Sequence, residues 1–379
     1  MKLHGIVLAA GLSSRMGCLK ALLPLRDESV LSRCVHTLLD GGAMDVTVVT
    51  GHRSEDVSAE AARCGARAVM NPDYKQGMFT SIRQGVQALP RDAEGFFLLP
   101  VDIPLVRSTT VRSLMLTFLK RQPAIIYPRF NGERGHPPLI NASLIPAILG
   151  DDGHDGMRGV LARFESDACD KDMPDSHILN DMDIPTEYER AKDLLRLHNT
   201  PLPEECQALW DLADTPEDTR AHCRCVADAA CILAERLTTV NPALRLDTAI
   251  IRAAGLLHDV AKGSRNHEAT GGSLLAGYGF SDIADIVASH RDTDITPDAP
   301  LSEREMVFLA DKYVRGTHIV ALEERYGQRL RQWMHDPDAV KAIKGRLDRA
   351  KALQTRYETE ARTHLPDLLA DAMSKAPTC

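Results

Sequence analysis

No apolar run in this sequence approaches the roughly 18 residues that a membrane-spanning helix needs, so no helical span is expected. Positive charge is not in excess either: 45 Lys and Arg stand against 53 Asp and Glu, a formal net charge of −8. Divided near residue 197, the first part holds 23 basic and 25 acidic side chains and the second 22 and 28. Neither part has the bulk positive surface of a nucleic-acid binder, so an anionic substrate must be met by local cations or metals. The nine cysteines are odd in number and scattered, which argues against a small disulfide framework and for reduced thiols. Met1-Lys2-Leu3-His4 leads straight into a strand-like stretch, without the apolar core and cleavage site of a signal peptide. The expectation is a cytoplasmic protein with no nucleic acid and no membrane among its partners. Neither an internal repeat nor a low-complexity tract occurs.

What is present suggests two domains, because 379 residues exceed one typical core. Up to residue 197, short apolar runs at 5–8, 46–49, 67–70, 96–99 and 124–127 alternate with helically spaced stretches. Ser54 and Ser108 are expected to cap two of those helices, and His177 to Leu179 reads as a further short strand. This rhythm predicts an α/β, Rossmann-like domain with a mostly parallel sheet, whose ligand lies beyond the strand C-termini. After residue 197 the rhythm stops. Two prolines in 199–205 read as a linker, placed at 198–214. Residues 215–361 are expected to form an all-α domain, with helices near 221–237, 246–261, 280–289, 303–314 and 336–356. Residues 362–379 are read as a tail, fraying from Ser374.

The first chemical constellation is Ile6-Val7-Leu8-Ala9-Ala10-Gly11-Leu12-Ser13-Ser14-Arg15-Met16-Gly17-Cys18-Leu19-Lys20. A strand that ends in small residues lets backbone N–H groups face a phosphate, with Arg15 and Lys20 as cations over it. The glycine spacing is not G-x-G-x-x-G, and no G-K-[ST] follows, so neither the dinucleotide fingerprint nor a P-loop is present. A generic glycine-containing turn is the plain alternative. Two further features argue against it. Asp102, in Leu99-Pro100-Val101-Asp102-Ile103-Pro104, follows an apolar strand and suits Mg²⁺, a hard cation that takes oxygen ligands. Asp181 and Asp183 offer a second carboxylate pair, and either could complete that site. Together these parts describe phosphoryl chemistry by positioning.

The pattern Leu8-Ala9-Ala10-Gly11-x-Ser13-x-Arg15-Met16-Gly17-x-x-Lys20 resembles the signature of the nucleotidyltransferases of molybdenum-cofactor maturation. Pro100-x-Asp102-x-Pro104, Asp181-x-Asp183-x-Pro185, Asn71-Pro72, Gly77-Met78 and Ser81 fit the same pattern, and the resemblance covers residues 1–197. Ala10 stands where guanylyl enzymes usually carry Gly, and Arg134-Gly135-His136-Pro137 resembles the pterin-side loop of the cytidylyl branch. Gly156-Met157-Arg158-Gly159 resembles another loop of that branch, usually G-A-R, with Met157 as a departure. The resemblance implies transfer of CMP from CTP to molybdenum-molybdopterin with release of pyrophosphate. It implies Leu8, Ala9, Ala10, Gly11, Ser13, Arg15, Lys20 and Ser81 on the nucleotide and Arg134, Gly135, His136 and Pro137 on the second substrate. It assigns catalysis to Arg15, Lys20 and Asp102, and Mg²⁺ to Asp102, Asp181 and Asp183. A molybdoenzyme or its chaperone is the implied acceptor of the product. GTP in place of CTP, or a sugar phosphate in place of the pterin, stays open as the alternative.

The second constellation lies after residue 214. His258-Asp259 ends an apolar helix, His222 opens an earlier one, and Asp311 sits in an apolar helix where an unpaired carboxylate would be costly. Two His and two Asp suit a divalent transition metal such as Mn, Fe, Zn or Ni, and Mg less well. His267 and His290 are available for a second ion. Cys223-x-Cys225 beside His222 has no second cysteine pair to make a zinc site. The ordered set His222, His258-Asp259 and Asp311 resembles the HD phosphohydrolase superfamily over about residues 215–345. That resemblance implies metal-dependent hydrolysis of an unspecified phosphoester. The alternative is a non-catalytic regulatory module that binds metal or nucleotide.

Overall fold

The structure, a computed structural model, describes residues 2–13, 15–292 and 299–375. The chain divides into two compact units, Met1–His198 and Asn199–Cys379.

The first unit is α/β. Its strands and helices run β1 (Leu3–Ala9), a small hairpin of β2 (Pro24–Leu25) and β3 (Glu28–Ser29), α1 (Val30–Asp40), β4 (Val46–Thr50), α2 (Ser54–Arg63), β5 (Arg67–Met70), α3 (Met78–Gln87), β6 (Gly95–Pro100) and α4 (Ser108–Arg121). Then follow β7 (Ile125–Phe130), β8 (Glu133–Arg134), β9 (Leu139–Asn141), α5 (Ile145–Gly150), α6 (Gly156–Ala162), β10 (Ala168–Asp172) and α7 (Pro185–Arg196). The main sheet has the order β10-β7-β9-β6-β1-β4-β5, with β8 beside β7. Strands β1, β4 and β6 are buried along their whole length, as parallel strands covered on both faces must be. Only β8 and β9 pair antiparallel with their neighbours in this sheet. Ile6, Val49, Phe96, Leu98, Ile125 and Ile140 pack in the core beneath α3. Leu8 pairs with both Val49 and Pro100, so the loop after β1 and Asp102 after β6 leave the sheet at the same edge.

Three local expectations change. His177 to Leu179 is not a strand: Ser176–Leu179 is a 3-10 turn, capped by the Asp175 side chain accepting from the His177 N–H. Neither Ser54 nor Ser108 caps its helix. The caps are Arg53 and Arg107, and the Ser54 hydroxyl pairs with Thr50 instead. Strand β10 lacks the apolar run that marked the other strands because it is an edge strand and only partly buried, and β8 and β9 are only two and three residues long.

The second unit is helical: α8 (Pro203–Leu212), α9 (Glu217–Val240), α10 (Thr248–Leu257), α11 (His267–Gly277), α12 (Ser281–Ser289), α13 (Glu303–Tyr313), α14 (Leu322–Gln332), α15 (Pro337–Ala361) and α16 (Leu365–Lys375). A two-residue hairpin, β11 (Val314–Arg315) with β12 (His318–Ile319), follows α13. The long α9 presents Val226, Ala230, Leu233 and Leu237 to a core shared with Ile251, Phe308 and Tyr357. Gly255 lets α10 approach α9 closely; a Cβ there would lie 2.6 Å from the Ala227 Cα. The stretch read as a linker, 198–214, contains α8, because Pro203 suits a first helical turn and Cys206, Leu209 and Trp210 reach the core. Likewise, the stretch read as a tail contains α16, anchored by Leu365 and Leu369; residues 376–379 lie outside the described residues. No helix among the described residues is long and apolar enough to cross a membrane.

Candidate functional site

In the first unit, a cavity of about 270 Å³ opens where β1 and β6 end. Its walls include Leu8, Ala9, Ala10, Gly11, Ser13, Lys20, Ser81 and Asp102. The residues expected on the nucleotide thus line one cleft, except Arg15, which lies in an adjoining hollow with Ser13, Lys20 and Asp183. The loop is turned back by Ser13 in the left-handed region, and the Ser13 hydroxyl accepts from the Lys20 N–H at 3.2 Å. Asn71 donates from Nδ2 to Ser81 Oγ at 2.9 Å and so fixes that hydroxyl on the opposite wall.

Lys20 is buried, and its Nζ lies 2.5 Å from Asp183 Oδ1 and 3.5 Å from Asp102 Oδ2. Arg15 Nη1 reaches the other oxygen of Asp183 at 3.0 Å. The Met182 N–H donates to the Asp102 carbonyl at 2.9 Å, which pins the two carboxylate segments together. Burial raises the Asp102 pKa against the pull of Lys20. The hydrogen bond and charge of Lys20, with Arg15 behind them, hold the Asp183 carboxyl below its ordinary range. Of the two later carboxylates, the structure brings Asp183 to Lys20; Asp181 is exposed. Two carboxylates converging on one cation are a hard oxygen donor set of the kind Mg²⁺ takes.

The expected second-substrate loop behaves unevenly. Gly135 packs under Ile178, where a Cβ would meet the Ile178 carbonyl oxygen at 2.5 Å. The His136 N–H donates to that same carbonyl at 2.9 Å. Nδ1 of His136 is buried without a hydrogen-bond partner, and burial lowers the ring's pKa, so a neutral imidazole is expected there. None of Arg134, Gly135, His136 and Pro137 is among the residues that line the cleft, and Arg134 is held elsewhere: Glu165 and Asp170 engage it at 2.7 and 2.6 Å, over the Tyr127 ring. Tyr74 and Lys75 line the cleft and escaped the sequence reading. They sit in a short turn before α3 that carries no periodic signal.

In the second unit, His222, His258, Asp259, His267, His290 and Asp311 converge. Ligand atoms of His222, His258 and Asp259 lie within 4.8 Å of one another, as do those of Asp259, His267 and His290. Asp259 is common to both triads. Asp311 Oδ1 is 3.5 Å from His222 Nε2 and 3.8 Å from His258 Nε2. Each buried histidine is oriented by a backbone carbonyl on its other nitrogen: His222 Nδ1 to Gly316 at 3.1 Å, His258 Nδ1 to Gly255 at 2.8 Å and His290 Nδ1 to Val287 at 2.7 Å. A carbonyl only accepts, so Nδ1 carries the proton and the Nε2 lone pair faces the cluster, as metal ligation requires. Nε2 of His258 is buried with no hydrogen-bond partner in the structure, which fits a metal ligand. Burial lowers the His258 pKa to about 4. Burial acts to raise the Asp259 pKa, but His290, His258 and Lys262 outweigh it and hold the carboxyl well below the usual range. Cys223 is a core residue whose thiol burial pushes up, and it belongs to neither group of converging ligand atoms.

Asp311 is also neutralised by protein. Lys312 Nζ lies 2.6 Å from its Oδ2 and Arg325 Nη2 3.2 Å from its Oδ1. The cluster opens into a cavity of about 490 Å³.

Comparison with known proteins divides at the same place. Residues 5–169 match the family model described as a MobA-like NTP transferase domain, and residues 219–316 match that of the HD domain. The Escherichia coli (strain K12) protein named molybdenum cofactor cytidylyltransferase is 29% identical over 189 residues, 50% of this chain and 94% of that protein. A Paenarthrobacter nicotinovorans protein named nicotine blue oxidoreductase is 33% identical over 150 residues, 38% of this chain and 73% of that protein. The crystal structure of Rv0371c from Mycobacterium tuberculosis H37Rv is 25% identical, covers 51% of this chain and 98% of its own, and superposes with a TM-score of 0.46.

Proposed function

Since the chain joins a MobA-like NTP transferase domain to an HD domain, we propose that its first unit moves CMP from CTP to molybdenum-molybdopterin, releasing pyrophosphate. The observation that carries this reading is the meeting of Lys20, Asp102 and Asp183 beside the loop after β1. The terminal phosphate of the pterin is already ionised and attacks the α-phosphorus of CTP without a protein nucleophile. Backbone N–H groups of 10–13 hold the phosphates, and Lys20 and Arg15 neutralise the charge that grows on the departing pyrophosphate. Asp102 and Asp183 would hold Mg²⁺, which, when bound, neutralises phosphate charge and orients the chain of phosphates. Ser81, fixed by Asn71, faces the nucleotide across the cleft. On this reading His136, with Gly135 and Pro137 but not Arg134, would meet the pterin. The cytidylyltransferase relative and Ala10 at the loop support CTP over GTP. A cytoplasmic site of action, with the product handed to a molybdoenzyme or its chaperone, belongs to the same reading. The test is transfer of label from CTP labelled at its α-phosphate. Labelled molybdopterin product supports the reading; turnover of sugar 1-phosphates without pterin turnover overturns it.

For the second unit, the reading is a metal-dependent phosphohydrolase. His222, His258, Asp259 and Asp311 would hold one ion, and His267 and His290 would join Asp259 on a second. The metals, when bound, supply Lewis acidity and an activated water. Hydrolysis of p-nitrophenyl phosphate by the metal-loaded full chain tests this reading. Bound metal without hydrolysis of any phosphoester favours the regulatory module instead.

A further inference from the structure

The helices α14 and α15 lie beyond the matched HD residues 219–316 yet form a wall of the metal-side cavity. On α14 the lining positions are Arg325, Tyr326, Arg329 and Gln332, followed by the C-cap Trp333, spaced at three and four residues so that one helical face looks inward. On α15 Arg346 lies one turn beyond Ile343 on the cavity side. An inward helical face is normally apolar; here it is basic.

The cations of this cavity fall into two sets. Lys262, Lys312 and Arg325 are engaged by the metal-site carboxylates, and Arg291 by Glu268. Among the described residues no carboxylate forms an ion pair with Arg329 or Arg346, although the Asp311 charge still acts on Arg329. Burial and the neighbouring Arg325 depress the Arg329 pKa, against the opposing pull of Asp311. Trp333 is 49% exposed at the end of the same face. At about 1.5 Å of rise per residue, Arg329 stands roughly 6 Å, and Trp333 roughly 12 Å, along α14 from Arg325. Arg325 touches Asp311 in the metal cluster. The face therefore runs from the His/Asp cluster, past Arg329 and Arg346, to the exposed indole of Trp333.

We propose that this face recognises a nucleoside diphosphate or a similar ligand with two linked phosphates and a planar ring. The phosphate nearer the metals lies by Arg325, the next meets Arg329 and Arg346, and the ring stacks on Trp333. Guanidinium groups bind phosphate oxygens through paired N–H donors, and an indole offers a large flat surface to a base. A simple phosphomonoester would leave the pair and most of the cavity of about 490 Å³ unused. This names the ligand class for the hydrolase reading of the second unit and rests on that reading.

The test is a titration of the full chain by tryptophan fluorescence. The sequence has two tryptophans, and Trp210 is buried with its indole N–H bonded to the Leu256 carbonyl, so a quench at the surface reports Trp333. ADP is the probe, with AMP and inorganic phosphate beside it. The expected result is a quench by ADP at a concentration at least tenfold below that needed for AMP, with none from phosphate. Arg329→Gln with Arg346→Gln is expected to raise the half-saturating ADP concentration tenfold or more while metal content stays at the parent value. AMP binding as tightly as ADP, or unchanged ADP affinity in the double variant, would overturn the proposal. Hydrolysis of p-nitrophenyl phosphate without any ADP quench overturns it while leaving the hydrolase reading intact. An ADP quench without hydrolysis removes the hydrolase reading and leaves the ligand class supported.

Discussion

The ammonium of Lys20 stands 2.5 Å from Oδ1 of Asp183, a residue 163 positions later in the chain. It bridges Asp183 to Asp102 at the mouth of the phosphate loop. On the proposed reading, removing it takes away the buried cation that faces the transferred phosphates. Lys20→Ala is expected to lower the transfer rate by about 10²-fold or more, with a circular-dichroism melting curve close to the parent's. A near-normal rate would remove Lys20 from the mechanism.

The two carboxylates of Asp181-x-Asp183 differ in placement, so their substitutions should differ. Asp183→Asn is expected to lower Mg²⁺-dependent transfer by about 10²-fold and to raise the Mg²⁺ concentration needed. Asp181→Asn should change the rate less than about threefold, because that side chain is exposed and is not among the ion-pair partners of Lys20. Rates measured across a Mg²⁺ series separate the two. Equal losses would argue that both carboxylates reach the ion.

Asp259 belongs to both histidine triads, whereas His267 belongs to one. Elemental analysis of the purified full chain should therefore find Asp259→Asn stripped of both ions and His267→Ala short of one. Chelation of the parent should give the same loss of phosphoester hydrolysis as Asp259→Asn. Full metal content in Asp259→Asn would rule out a shared ligand.

Stability of the first unit should fall in mild acid. Burial and the Arg107 charge lower the His177 pKa to about 4, and burial likewise lowers that of His198, stacked on it at 5.6 Å between ring centroids. An unfolded histidine takes up its proton near 6.5. Between about pH 6.5 and 4 the unfolded chain binds more protons, so stability present above 6.5 is lost as the pH falls, by up to about 1.4 kcal/mol per pH unit for each ring. Asp175, paired with Arg107 at 2.8 Å, has a lowered pKa and adds a further loss below its unfolded value of 3.8. Urea unfolding curves at pH 7 and 5 check this. His177→Asn should flatten the dependence, and an unchanged slope would contradict it.

Much of this was legible in the sequence, for physical reasons. The strands buried on both faces read as apolar runs, and loop and carboxylate positions followed from parallel pairing. The clustering of the His and Asp side chains in the second unit was legible because lone His and Asp residues in apolar helices need partners. What escaped lacked a pattern. Helix α11 has no apolar stripe, since Gly271 and Gly272 let it lie close to Val287 and Ala288. Helix α8 hid behind Pro203, a residue that starts helices as readily as it ends them. Arg134 could be placed in its loop, but its capture by Glu165 and Asp170 depends on contacts 31 and 36 residues away.

The most direct test of the central claim is pyrophosphate release by the full chain with molybdenum-molybdopterin, Mg²⁺ and one nucleotide at a time. The account expects CTP to react at least about tenfold faster than GTP or UTP, with molybdopterin cytosine dinucleotide as the product and Lys20→Ala inactive. A preference for GTP, or release that does not require the pterin, would contradict it.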